Sequence, residues 1–178
     1  MQANSMWLDW YKRLSSWKVV LGAGLAYVVF QGAMAVILSP LGGDPLILQT
    51  TYSAETFRAI LAKWGEKGEL IYRAHYSLDF IHPFVYSVFL SGLVAWITHK
   101  LPNAPTRLHM AVFFLPYAAG ACDIAENFFH LGFLNRPQLI TPGWVAVSAT
   151  FANTKWTLAA ATLTAVALWA ARRVKGEE

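Results

Sequence analysis

A single cysteine, Cys122, occurs among the 178 residues, so neither a disulfide framework nor a dithiol mechanism can be built. Beside its neighbours it reads as a small packing hydrophobe. Charge is equally scarce: 13% of residues are Asp, Glu, Lys or Arg, against about 25% in an ordinary soluble domain. A water-soluble chain of this length needs a larger polar surface than that. Repeats, low-complexity tracts and a second domain are also missing, the last for want of length. What the chain has instead is apolar residues, 56%, and aromatic ones, 15%, which exclude disorder. The composition therefore predicts an all-α, multi-pass membrane protein forming one integral membrane domain over residues 1–178.

A span needs roughly 20 mainly apolar residues to cross about 30 Å of hydrocarbon. Four segments meet this: Val19 to Leu38, about Ala74 to Ile97, His109 to Leu134, and Trp144 to Ala171. They predict a four-transmembrane-helix bundle. The first segment, with Lys12, Arg13 and Lys18 before it and Ala33-Met34-Ala35 near its end, also has the outline of a secretory signal. Its apolar run is long for one, so an uncleaved helix is expected.

Basic residues set the orientation. With the N-terminus in the cytoplasm, that side holds Lys12, Arg13, Lys18, Lys100, Arg107, Arg172, Arg173 and Lys175, less Asp9, Glu177 and Glu178. The opposite side holds Arg58, Lys63, Lys67, Arg73 and Arg136, and the acids of its long first loop cancel four of these. Both termini are thus expected in the cytoplasm. The formal charge of +4 is mostly this bias, and no nucleic-acid partner is implied.

The outer loop, 39–73, opens on turn signals, Ser39-Pro40, Gly42-Gly43 and Asp44-Pro45. Ser53 is placed to cap a short helix with Glu55 in its first turn. Phe57, Ile60, Leu61 and Trp64 then recur at helical spacing and form one apolar stripe. Such a helix would lie flat in the membrane interface, as an anchor or as a lid over the bundle. Trp7, Trp10, Trp17, Trp96 and Trp144 sit near span ends, where aromatic belts form.

Ionisable residues inside hydrocarbon are costly and by default mark a functional site. In the second span Tyr72, His75, Asp79, His82 and Tyr86 fall within an arc of about 80° on a continuous helix. In the third, Asp123, Glu126, Asn127 and His130 occupy an arc of about 100°. The fourth contributes Lys155, with Ser148 and Thr162 close to its face, and the first offers only Gln31. At about 1.5 Å per residue, Asp79, His82, Asp123, Glu126 and Lys155 all lie roughly 9–16 Å below the outer surface. Three helices agreeing on one depth predict a shared polar pocket in the outer half. Pro83 and Pro116 free the carbonyls of Asp79 and Val112 at this level. Gly120 and Gly132 suggest close helix approach.

Four uses of such a cluster are open. A buried charge network could fix helix register, although structural glue in membranes is more often Ser, Thr, Asn or Gln. A metal ion could be held by Asp79, His82, Asp123, Glu126 and His130, since Asp79-x-x-His82 has the spacing that points two ligands at one ion. Lys155 argues against a cation there. A proton or ion path is disfavoured because Val88–Ile97 and Ala159–Ala171 carry no ionisable group. The favoured use is an acid/base pocket for a lipophilic small molecule, walled by Tyr72, Tyr76, Tyr86, Phe128 and Phe129. Isomerisation, cyclisation or hydrolysis of a lipid-soluble substrate would follow.

In that reading Asp79, Asp123, Glu126 and Lys155 are the catalytic candidates. His82, Tyr72, Tyr76, Tyr86, Asn127 and His130 would contact the ligand. No cofactor is called for, and the partners are the lipid bilayer and the hydrophobic ligand, with self-association left open. In layout, four spans with a sizeable outer first loop and intramembrane acids, the chain resembles the sterol-isomerase and sigma-2-type (EXPERA) membrane proteins. That resemblance implies a membrane-embedded pocket for a lipophilic molecule, with isomerase chemistry among the candidates.

Overall fold

Hydrocarbon offers backbone N–H and C=O groups no partner, and a chain this apolar answers with helices that pair those groups internally. The computed structural model describes residues 2–101 and 105–175, and contains no strand among them. Its helices are α1 (Gln2–Leu14), α2 (Trp17–Leu38), α3 (Asp44–Thr50), α4 (Ala54–Asp79), α5 (His82–Thr98), α6 (Arg107–Asn135) and α7 (Pro142–Lys175). Short 3-10 turns occupy Ser39–Leu41 and Pro137–Leu139. Glu177 and Glu178, counted above in the cytoplasmic charge, lie outside the described residues.

Among the described residues, two helical stretches are long and apolar enough to cross a membrane, Trp17–Leu41 and Arg107–Asn135, with mean hydropathy 1.9 and 1.4. α4 and α5 add a third if they are taken as one broken span, bent by 47°. α7 has the length, 34 residues, but is too polar to count with them.

α6 is the axis, packed along α5 on one side and α7 on the other, while α2 leans chiefly on α5. Ser87 and Ser91 of α5 donate to the α6 carbonyls of Pro116 (2.8 Å) and Phe113 (2.7 Å). Gly120 is needed for this contact. A Cβ there would meet Ser87 Oγ at 2.9 Å and the Pro83 carbonyl at 3.3 Å. Gly132 has open space around it instead, so close approach does not explain that residue.

The second expected span is not one continuous helix. α4 ends at Asp79 and α5 restarts at His82 with Pro83 in its first turn, because a proline ring cannot donate to the preceding turn. The five-residue stripe computed for a straight helix therefore does not exist as such; Tyr72, His75 and Asp79 belong to α4, His82 and Tyr86 to α5. α4 is itself kinked at Gly65, whose φ of 58° and ψ of −170° are open only to glycine.

Ser53 caps α4, its Oγ accepting the Thr56 N–H at 3.1 Å. The apolar stripe that follows packs against protein, the arrangement expected of a lid over the bundle rather than of an anchor in lipid headgroups. Phe57, Ile60 and Leu61 are buried with Tyr72, Phe133, Leu134 and Val145 in one cluster, and Arg58 donates to the Ile140 carbonyl. The segment is a lid on the end of the bundle. α3 holds it from the other side through Asp44, whose Oδ2 accepts from Lys63 (2.7 Å) and Trp64 (3.1 Å). Those two hydrogen bonds keep the Asp44 carboxyl below its usual range, the Lys63 contact being the larger cause.

At the opposite end α1 packs as a surface helix. Tyr11 is buried and hydrogen-bonded to Thr98 Oγ1 at 2.7 Å, and Trp10 donates to Tyr117 at 3.2 Å. The cluster there, including Leu14, Val94, Phe113 and Trp169, is apolar.

Candidate functional site

The break between α4 and α5 leaves the Asp79 carbonyl without a backbone donor, and Asn127 of α6 supplies one, Nδ2 to O at 3.2 Å. This places α6 with its acidic face toward the break. One turn before Asn127, Asp123 accepts Lys155 Nζ at Oδ1 (2.7 Å) and the Tyr86 hydroxyl at Oδ2 (3.2 Å). Lys155 Nζ also lies 2.7 Å from Glu126 Oε2 as an ion pair, though not aligned as a hydrogen bond. The three side chains are almost fully enclosed: 9% exposed for Lys155, 5% for Asp123 and 1% for Glu126. One ammonium from α7 thus clamps two α6 carboxylates a single turn apart.

Asp79 stands on the other side of Asp123. His75, one turn earlier in α4, gives its Nδ1 proton to the Tyr72 carbonyl. Its Nε2 then faces Asp79 Oδ2 at 3.5 Å. His82 follows the break; its ring stacks on Tyr27 of α2 at 5.5 Å and meets Tyr86 edge-on at 5.2 Å. Ligand atoms of Asp79, His82 and Asp123 lie within 4.8 Å of one another. His82 Nε2, His75 Nε2 and Glu126 Oε1 have no hydrogen-bond partner, and in a low-dielectric interior such groups are expensive to leave unpaired.

Next to these residues is a cavity of about 420 Å³. One wall is ionisable, formed by His75, Asp79, His82, Asp123 and Lys155. The others are apolar or aromatic: Tyr27, Met34 and Leu38 from α2, Phe89 from α5, and Trp156 and Leu163 from α7. A pocket of this size and lining is typical of small-molecule sites.

The sequence-predicted residues divide into two layers. Asp79, His82, Tyr86, Asp123 and Lys155 line the cavity. Tyr72, Tyr76, Glu126, Asn127 and His130 are buried but do not line it. Tyr72 and His130 bond to each other, hydroxyl to Nδ1 at 2.9 Å, beneath the lid. Tyr76 packs at a tilt against His75 and Phe80. Phe128 is 65% exposed on the bundle surface, and Phe129 packs with Trp144 and Phe151, so neither walls the pocket as expected. Glu126 and His130 also stand outside the Asp79–His82–Asp123 group, so the five-ligand metal set is not assembled.

Sequence reasoning missed the contribution of α2. Tyr27 and Met34 sit in an unbroken apolar run, where a pocket-lining side chain looks like one facing lipid. Gln31, between them and also lining the cavity, was the available signal. Cys122, half-buried and unpaired, fits its expected packing role.

No known protein family, characterised protein or solved structure matches this chain. Function therefore has to be read from the site alone.

Proposed function

We propose that the protein is a four-span, multi-pass membrane bundle whose polar pocket binds a lipophilic small molecule and transforms it by proton transfer. Both termini face the cytoplasm in this reading, and α7 is the fourth span. The polarity of α7 counts for rather than against it, because Lys155 and Ser148 are buried inside the bundle. Its outward-facing positions outside the cavity, such as Val147 and Leu168, are apolar and exposed.

The observation that carries the function is the cavity with one ionisable wall and otherwise apolar surroundings. An apolar body can occupy the region between α2 and α7, with its reacting end against Asp79, His82 and Asp123. Asp123 acts as general acid/base, paired with Glu126 through Lys155, which holds their negative charge. Asp79 and His82 form the second proton-handling pair. Isomerisation, cyclisation and hydrolysis are the reaction classes such a wall can serve without a cofactor.

The test is ligand retention by protein purified into lipid nanodiscs, read by extraction and mass spectrometry. Wild type should carry one lipophilic species in near-stoichiometric amount, and Ala160→Trp, which fills the cavity, should lose it while staying folded. A wild type that retains nothing beyond bulk lipid would sink the pocket. For topology, Lys67→Cys in a Cys122→Ser background should react with an impermeant maleimide from outside. Arg172→Cys should react only after permeabilisation.

A further inference from the structure

We propose that Asp79, His82 and Asp123 form a mononuclear site for a divalent first-row transition ion, its open coordination positions facing the cavity. The three residues come from three consecutive helices, the last residue of α4, the first of α5 and the middle of α6. The break at Phe80–Ile81 is what lets Asp79 and His82 converge. Their ligand atoms lie within 4.8 Å of one another and of an Asp123 oxygen. Atoms each about 2.1 Å from one ion lie about 3–4 Å apart, a contraction that side-chain torsions can supply.

An independent observation points to a ligand. His82 is only 7% exposed, lines the cavity beside both carboxylates, and leaves its Nε2 without a partner. The ring is held in place by stacking on Tyr27. A buried imidazole with a ring nitrogen left unbonded, grouped with two carboxylates, is the donor set that imidazole- and carboxylate-binding ions of the manganese, iron or zinc type take.

Charge supports the same conclusion. Asp79, Asp123 and Glu126 share one ammonium, Lys155, so the cluster, with its carboxyls ionised and its histidines neutral, would carry two negative charges beyond what Lys155 balances. A divalent cation cancels them. Lys155 is no obstacle, since it is engaged at Asp123 Oδ1 and Glu126 Oε2. A carboxylate has about four lone-pair sites, so Asp123 keeps acceptor capacity beyond its bonds to Lys155 and Tyr86. Lys155 and Tyr86 then orient the ligand carboxylate from behind, as supporting partners of metal ligands do. Three protein ligands with the remaining positions open is the form of a catalytic rather than a structural site.

The inference shares the cavity with the proposed function and, with an ion bound, gives Asp79, His82 and Asp123 a ligand role in place of their proton-handling one, yet the two fail separately. Protein purified without chelator, stripped, and titrated with Mn²⁺ alone should bind about one ion per chain. Pulsed EPR of the wild type should show one directly coordinated imidazole nitrogen. His82→Ala should weaken Mn²⁺ at least about tenfold and abolish the nitrogen coupling, while Glu126→Gln keeps the coupling. Absence of tight Mn²⁺ or Zn²⁺ binding by wild type, or binding without a nitrogen coupling, overturns the site, because protons then balance the cluster. Loss of the ion with retention of the lipophilic ligand would remove the metal and leave the pocket. An ion bound with no lipophilic ligand would do the reverse.

Discussion

Lys155 offers the most informative single perturbation. Its ammonium is 2.7 Å from both Asp123 Oδ1 and Glu126 Oε2, and all three side chains are at least nine-tenths enclosed. Lys155→Met removes the charge, keeps much of the volume, and leaves two carboxylates facing each other without a counterion. Breaking a buried ion pair by deleting one partner costs about 3–5 kcal/mol. At about 2–4 °C per kcal/mol for a chain of this size, the unfolding midpoint should fall by roughly 6–20 °C. The assay is thermal denaturation in nanodiscs, with Lys67→Met as an exposed control. The same physics makes a second demand. Replacing all three groups, in Asp123→Asn/Glu126→Gln/Lys155→Met, removes every buried charge of the clamp and should recover most of the loss. A triple variant as unstable as the single one would refute the argument, because the network would then be holding the bundle together rather than being held by it.

Further outcomes follow from individual contacts. Asn127→Leu strands the Asp79 carbonyl at the helix break and should cost about 1–3 kcal/mol in the same melt. Gly65→Ala meets no neighbour within 4 Å, so its cost, about 1–3 kcal/mol, is purely backbone strain; a neutral melt would show the kink to be unnecessary. Asp44 has a lowered carboxyl pKa through Lys63, so its contribution is complete above the ordinary carboxylate value of 3.8. It is lost as pH falls through the lower folded value. Since Trp64 donates to the same oxygen, its fluorescence should change in that acid window, and Asp44→Asn should shift or remove the change.

The parts of this fold that could be read from the sequence are those governed by periodicity and depth. α2 and α6 follow from their apolar runs, and the Ser53 cap from its position before Glu55 and Phe57. The meeting of Asp123, Glu126 and Lys155 follows from the similar depths, within about one helical turn, that a rise of about 1.5 Å per residue gives them. Pro83 was read correctly as freeing the Asp79 carbonyl, but within a continuous helix rather than at a full restart, because the pattern of polar residues continues across Phe80–Ile81 as if the helix did. Anchor and lid stayed open for the Phe57–Trp64 stripe because an apolar stripe is the same whether it meets lipid headgroups or Phe133 and Leu134. α1 carries too short an apolar pattern to announce its packing on Thr98 and Tyr117. Aromatic lining from α2 and α7 was hidden among residues chosen for hydrocarbon.

The cavity separates two jobs among different helices. Its ionisable wall is drawn mainly from α4, α5 and α6, whereas its shape is set by Tyr27, Met34 and Leu38 of α2 and by Ala159, Ala160 and Leu163 of α7. Of these, α2 buries only Met34 and leans on one side of the bundle. Exchanging side chains along it would recut the outline of the cavity without disturbing a single charged group of its wall. A lineage of such proteins could diversify its ligands by editing one helix, while the acids, the imidazoles and the clamping lysine stay as they are.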